Sequence, residues 1–158
     1  MLGAASAQGL IHNDEPVLEL SAIGGGDGSG GFLLNGVAAN DASGRSVSGA
    51  GDVNGDGFAD LIVGASFADP GGESAAGTSY VVFGKASGFA AALDLSALAG
   101  SNGFAVNGVA TYDFSGYSVS GAGDVNGDGF ADMIVGAFRA DPGGNSGAGS
   151  SYVIFGPF

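Results

Sequence analysis

The feature that most restricts what this chain can become is a long internal repeat. Gly44 to Ala65 reads GRSVSGAGDVNGDGFADLIVGA, and Gly116 to Ala137 reads GYSVSGAGDVNGDGFADMIVGA; only Arg45/Tyr117 and Leu61/Met133 differ. The offset, from Asp52 to Asp124, is 72 residues. It persists outside this block: Phe32 to Val37 aligns with Phe104 to Val109, Asp69 to Gly72 with Asp141 to Gly144, and Ser79 to Gly84 with Ser151 to Gly156. A fixed period of this kind means one supersecondary unit used twice, each copy burying its apolar face against a neighbour. The units are expected at residues 17–84 and 89–156, after a leader at 1–16 and with a linker at 85–88.

Within a unit, apolar runs punctuated by glycine predict four strands, Gly31–Val37, Arg45–Gly49, Ala59–Ala65 and Thr78–Phe83, each with a counterpart 72 residues later. The 34 glycines fit an all-β chain with tight turns, and a hydrophobic content of 45 % separates it from disordered tracts. Collagen is excluded, because glycine does not fall at every third position. A weak helical signal around Leu93–Ala99 is the exception. Four short antiparallel strands per repeat suggest a propeller blade, although the period exceeds the ~40–50 residues of familiar blades. The excess is assigned to long loops such as Phe67–Gly77. Tyr80, Phe83, Tyr152 and Phe155 alternate with aliphatic residues and are read as core.

Sixteen acidic residues face three basic ones, Arg45, Lys85 and Arg139, for a formal charge of −13. Phosphate backbones and anionic membrane surfaces need clustered Lys and Arg, so nucleic acid and membrane partners are excluded as expectations. No run is long and apolar enough to insert in a bilayer. The absence of cysteine removes disulfides and thiolate metal sites. Met1 to Gln8 has neither a basic start nor an apolar stretch, so it is not a whole signal peptide; Met1 reads as a start added to a piece of something larger.

Six of the acids fall in two loops, Asp52 to Asp60 and Asp124 to Asp132. Asp52, Asn54, Asp56 and Asp60 place oxygen-bearing side chains at positions 1, 3, 5 and 9, and Asp124, Asn126, Asp128 and Asp132 repeat them. Calcium takes six to eight hard oxygen ligands, including backbone carbonyls. A turn at Gly57 or Gly129 would present the carbonyl of Phe58 or Phe130 as a further ligand. Two Ca2+ sites are therefore expected. A plain Asn-Gly or Asp-Gly hairpin turn is the bland alternative. It leaves three aspartates per loop repelling one another. An EF-hand or dockerin needs a carboxylate at position 12 on a helix, whereas Val63 and Val135 stand there, inside strand-like runs. Magnesium suits the loops less, since it prefers a rigid octahedron and keeps its waters. Asp41 and Asp113 read as turn residues with a supporting role near the metal as the alternative, and His12, in a polar leader, reads as solvated rather than catalytic.

The run from Ser43 to Ala65 and its copy resemble the FG-GAP repeat of integrin α-subunit propellers and their bacterial relatives, across nearly the whole chain. The resemblance implies that each Asp-x-Asn-x-Asp-Gly-x-x-Asp loop joins two strands of a blade and binds calcium. Its ligands would be Asp52, Asn54, Asp56, Phe58 and Asp60, then Asp124, Asn126, Asp128, Phe130 and Asp132. The family's Phe-Gly pair is Ser43-Gly44 and Ser115-Gly116 here, and Ser66 and Phe138 stand in place of a proline. Integrin-type propellers have seven blades, and closure takes roughly 4–8. The chain is thus expected to need further blades, from neighbouring repeats of a longer parent or from a homo-oligomer. The leading expectation is a calcium-stabilised structural or adhesion module, extracellular or on a cell surface. The runner-up is a lectin-like or protein-binding module using Phe67, Tyr112, Phe114, Tyr117 and Phe138 in exposed loops. An enzyme is not expected, because no nucleophile motif with partners is present.

Overall fold

The computed structural model describes residues 19–158; the leader, His12 and the expected start of the first unit at Val17 lie outside the described residues. The fold is all-β. The strands are β1 (Leu33–Asn35), β2 (Ser46–Gly51), β3 (Asp60–Ala65), β4 (Thr78–Val82), β5 (Ala92–Asp94), β6 (Gly103–Asn107), β7 (Ser118–Gly123), β8 (Asp132–Ala137) and β9 (Ser150–Ile154). All but β5 fall on the apolar runs expected of each unit. Between them lie single 3-10 turns at Pro70–Gly72 and Pro142–Gly144, where proline presets φ for the turn. A third covers Leu95–Ala97, and a one-turn helix covers Leu20–Ile23. The weak helical signal after Leu93 thus resolves into the short strand β5 and one 3-10 turn.

Two antiparallel sheets carry the structure, one in the order β2-β3-β4-β6 and one in the order β7-β8-β9, like two successive blades. The four strands of one sequence repeat do not form one sheet. β6, the first of the four expected strands of the second repeat, lies on the outer edge of β4, with Tyr80 opposite Ala105 and Val81 opposite Phe104. Its counterpart β1 instead pairs in parallel with β5. Sheet and repeat are therefore out of phase by one strand. The physical reason is the edge: without β6 the outer side of β4 would present bare N–H and C=O groups in the middle of an apolar layer.

The core has two layers. Between the sheets, Ala50, Val53, Ile62, Val81 and Phe83 meet Val119, Met133 and Val135. On the other side of the first sheet, Val63, Tyr80 and Val82 are covered by Leu95, with Leu34, Phe89, Leu93 and Leu98 packed around them. The strand alternation assigns the two layers, since Val81 points one way and Tyr80 and Val82 the other. The core reading holds for Tyr80 and Phe83 but not for their copies. Tyr152 and Phe155 are 39 % and 50 % exposed, because nothing described covers β9 as β4 is covered.

Candidate metal centre

Each candidate loop is the connection between the first two strands of its sheet, β2 to β3 and β7 to β8. Glycines at positive φ let it curl: Gly55 and Gly57 sit at 78° and 89°, and Gly127 and Gly129 at 77° and 93°. The curl is organised around the first aspartate. Asp52 Oδ1 accepts from the N–H groups of Gly55 (2.8 Å) and Asp56 (3.0 Å), and its Oδ2 from Gly57 N–H (2.9 Å). Asn54 Oδ1 accepts from Asp56 N–H, Asn54 Nδ2 donates to Asp56 Oδ2, and Asp56 Oδ1 accepts from Phe58 N–H. The second loop repeats every one of these bonds among Asp124, Asn126, Gly127, Asp128, Gly129 and Phe130.

The ninth position differs from the rest. Asp60 is wholly buried at the head of β3, and both its oxygens are engaged: Oδ2 accepts from Val53 N–H and Oδ1 from Gly84 N–H, each at 2.8 Å. Asp132 does the same with Val125 N–H (2.7 Å) and Gly156 N–H (3.1 Å). These aspartates tie the loop, the head of the second strand and the exit of the third into one knot. Sequence reading gave them a place in the ion's shell and missed this stapling role; the glycine 24 residues downstream, Gly84 or Gly156, was the only trace of it. Burial pushes the Asp60 carboxyl up from its ordinary value, the two backbone bonds oppose that, and the charges of Asp56 and Asp52 push it further up.

The donor set fits a hard cation, because everything the loop offers is oxygen from carboxylate, amide or carbonyl. The charges of Asp56 and Asp52 reach Asp60, and each basic side chain lies over an aromatic ring. Arg45 lies over Tyr117, Lys85 over Phe89, and Arg139 over Phe114 and Phe138. Among the described residues no three His, Cys, Asp or Glu side chains gather closely enough to hold an ion alone. An ion here would rest on the mixed set: Asp52, Asn54, Asp56 and the Phe58 carbonyl, with Asp60 beneath, and the same in the second copy.

Asp41 serves its turn, its Oδ2 accepting from Ala38 N–H (3.2 Å) and its carbonyl from Phe67 N–H (3.2 Å). The five loop aromatics gather at the opposite end of the sheets, about 20 Å away along a six-residue strand. Phe67 meets Phe114 edge-on at 5.2 Å between centroids, Phe114 stacks on Phe138 at 5.6 Å, and Tyr117 lies 4.6 Å from Phe138, with Tyr112 beside them. Arg45 also donates to the Tyr117 hydroxyl (2.8 Å).

Two segments, residues 43–82 and 115–154, match the family model described as FG-GAP repeat, and together they make up half of the chain. Integrin alpha pat-2 of Caenorhabditis elegans is 36 % identical over 97 residues, which is 61 % of this chain. The chain spans only 7 % of that relative's length.

Proposed function

The chain belongs to the FG-GAP repeat family, and from that premise we propose that it is a calcium-binding structural and adhesion module of an extracellular or cell-surface repeat protein. The observation that carries this reading is the loop built twice: Asp52, Asn54 and Asp56 held by their own backbone at the lip of the first sheet, and Asp124, Asn126 and Asp128 at the lip of the second. Calcium would supply positive charge that several oxygens share. The residues themselves curl the loop, aim the oxygens, and pass the loop's position to the sheet through Asp60 and Asp132. Extracellular modules bind calcium with Kd around 10⁻⁴–10⁻³ M, so even a weak site fills outside cells. The role is structural, with further blades completing the array.

The test is a melting curve in calcium against one in excess EGTA. A site filled to a hundred times its Kd adds about 2.7 kcal/mol. A clear rise in Tm with calcium and none with magnesium is expected; identical curves in calcium and EGTA would refute the reading.

The exposed aromatic cluster favours a second reading, a module that grips a glycan or protein with Phe67, Tyr112, Phe114, Tyr117 and Phe138, since stacked aromatics flanked by Arg45 and Arg139 suit sugar faces and acidic groups. Binding on a glycan array that is lost in Tyr112→Ala would put this reading first.

A further inference from the structure

We propose that a second copy of this chain docks head to tail on the open side of the second sheet, with its residues 31–44 running along β9 as residues 103–116 run along β4. The proposal rests on the blade reading above and names the partner and the interface.

The junction between the two sheets is the template. There β6 lies on β4 in register, Gly108 N–H donates to Gly77 (2.7 Å), and Phe83 N–H donates to Asn102 (3.1 Å). Even-numbered residues of β6 therefore turn their backbone groups towards β4. β1 is the same strand one repeat earlier. Its Leu33 N–H donates to Ala91 (2.9 Å), so its odd-numbered residues face β5 and its even-numbered ones face the open side. The edge of β1 that no described strand pairs is thus the edge that β6 uses. Its shape matches too: Gly31 and Gly103 have φ of 141° and 137°, Asn40 and Tyr112 of 70° and 65°, Ala42 and Phe114 of 56° and 54°.

Two strand glycines say where the copy's backbone would come. A Cβ on Gly64 would overlap the Gly116 carbonyl across the junction, and one on Gly121 would lie 2.7 Å from the Gly49 carbonyl. Neither glycine has a positive φ, so close approach of another backbone is what requires them. Among the described residues their counterparts have no such neighbour. Gly136 has only Ser118 of its own sheet, at 3.6 Å, and Gly49 has nothing within 4 Å. Gly136 lies on the side of the second sheet that no described residue covers, and Gly49 on the far side of the first sheet, on the β2 part that the Leu95 layer leaves uncovered. Apolar residues line the same two surfaces: Val125 and Val153 are 58 % and 45 % exposed where Val53 and Val81 are buried, and Val47 is 64 % exposed where Val119 is buried.

The register follows by carrying the junction forward one repeat. Asn35 of the second copy falls opposite Ser150, Leu33 opposite Tyr152 and Phe32 opposite Val153. Arg45 of the second copy comes to Tyr117 as Tyr117 now comes to Arg45, so cation and ring alternate along the array. The contact is heterologous, which yields a ring if it closes and a filament if it does not. Three chains give six blades and four give eight.

The experiment uses the whole chain, size-exclusion chromatography with light scattering in calcium buffer, and two variants. Gly136→Ala blocks one surface and Gly49→Val the other, and a Cβ at either position meets nothing closer than 3.6 Å among the described residues. The wild type is expected to run at several times the single-chain mass, and each variant alone at the single-chain mass with unchanged circular dichroism. An equal mixture of the two is expected to run at twice that mass, since one intact surface of each survives and the pair is capped. A wild type that stays single-chain, variants that assemble like it, or a mixture that stays single-chain would each overturn the proposal. A calcium-dependent rise in Tm of the single-chain variants keeps the calcium reading separate from this result.

Discussion

β4 and β9 are the same strand in two settings. Thr78 to Val82 is buried at every residue, whereas no residue of Ser150 to Ile154 is fully buried. Their sequences differ only conservatively, at Thr78/Ser150 and Val82/Ile154. β4 has β6 on its edge, the second sheet against Val81, and Leu95 with its neighbours against Tyr80 and Val82. β9 has β8 alone. What buries an FG-GAP strand is therefore mostly the neighbouring unit, and an isolated unit would leave its apolar layers half wet. This is how repeat proteins distribute stability between intrinsic and interface terms.

The sharpest way to break the comparison is at the buried staples. Asp60→Ala leaves the buried N–H of Val53 and the half-buried N–H of Gly84 without an acceptor, and is expected to cost about 2–6 kcal/mol at about 1–3 per group. Asp132→Ala should cost less on the loop side, because Val125 is exposed and water can reach its N–H, whereas its other partner, the Gly156 N–H, is buried. Urea unfolding of both variants measures the gap; equal losses would say that the two sheets are equally sheltered. Next in size, Tyr80→Ala is expected to cost about 3–5 kcal/mol as a buried aromatic truncation, and Tyr152→Ala clearly less. Smaller still, Val81→Ala should cost about 1–2 kcal/mol, whereas Val153→Ala should stay near 0.5 in the single chain. Hydrogen exchange offers the version without mutation. The N–H groups of Ser79 and Val81, paired to β6, should exchange far more slowly than those of Ser151 and Val153. Assembly should close that difference.

Much of this was legible in the sequence because it is local. The repeat, the strand positions and the curl of Asp52 to Phe58 all follow from spacing, apolar content and glycine placement within a few residues. The phase of the sheets was not legible. Which strand covers the outer edge of β4 depends on where the chain returns after residues 84–102, and the repeat pattern reads the same with β6 on either side. The stapling role of Asp60 was hidden for a similar reason, since one of its two partners, Gly84, lies 24 residues away. Tyr152 and Phe155 were read as core because alternation reports which way a side chain points, not whether anything stands there to meet it. The loop aromatics were visible as separate residues; only the fold brings Phe67, Phe114 and Phe138 into one cluster.

The central claim is that the two loops bind calcium through the oxygens they gather. Isothermal titration of the calcium-stripped chain tests it most directly, alongside Asp52→Asn and Asp124→Asn, which keep the size of each side chain and remove its charge. The account predicts two calcium ions per chain for the wild type, one for each single variant and none for the double variant. Absence of calcium heat in the wild type, or undiminished stoichiometry in the double variant, would contradict it.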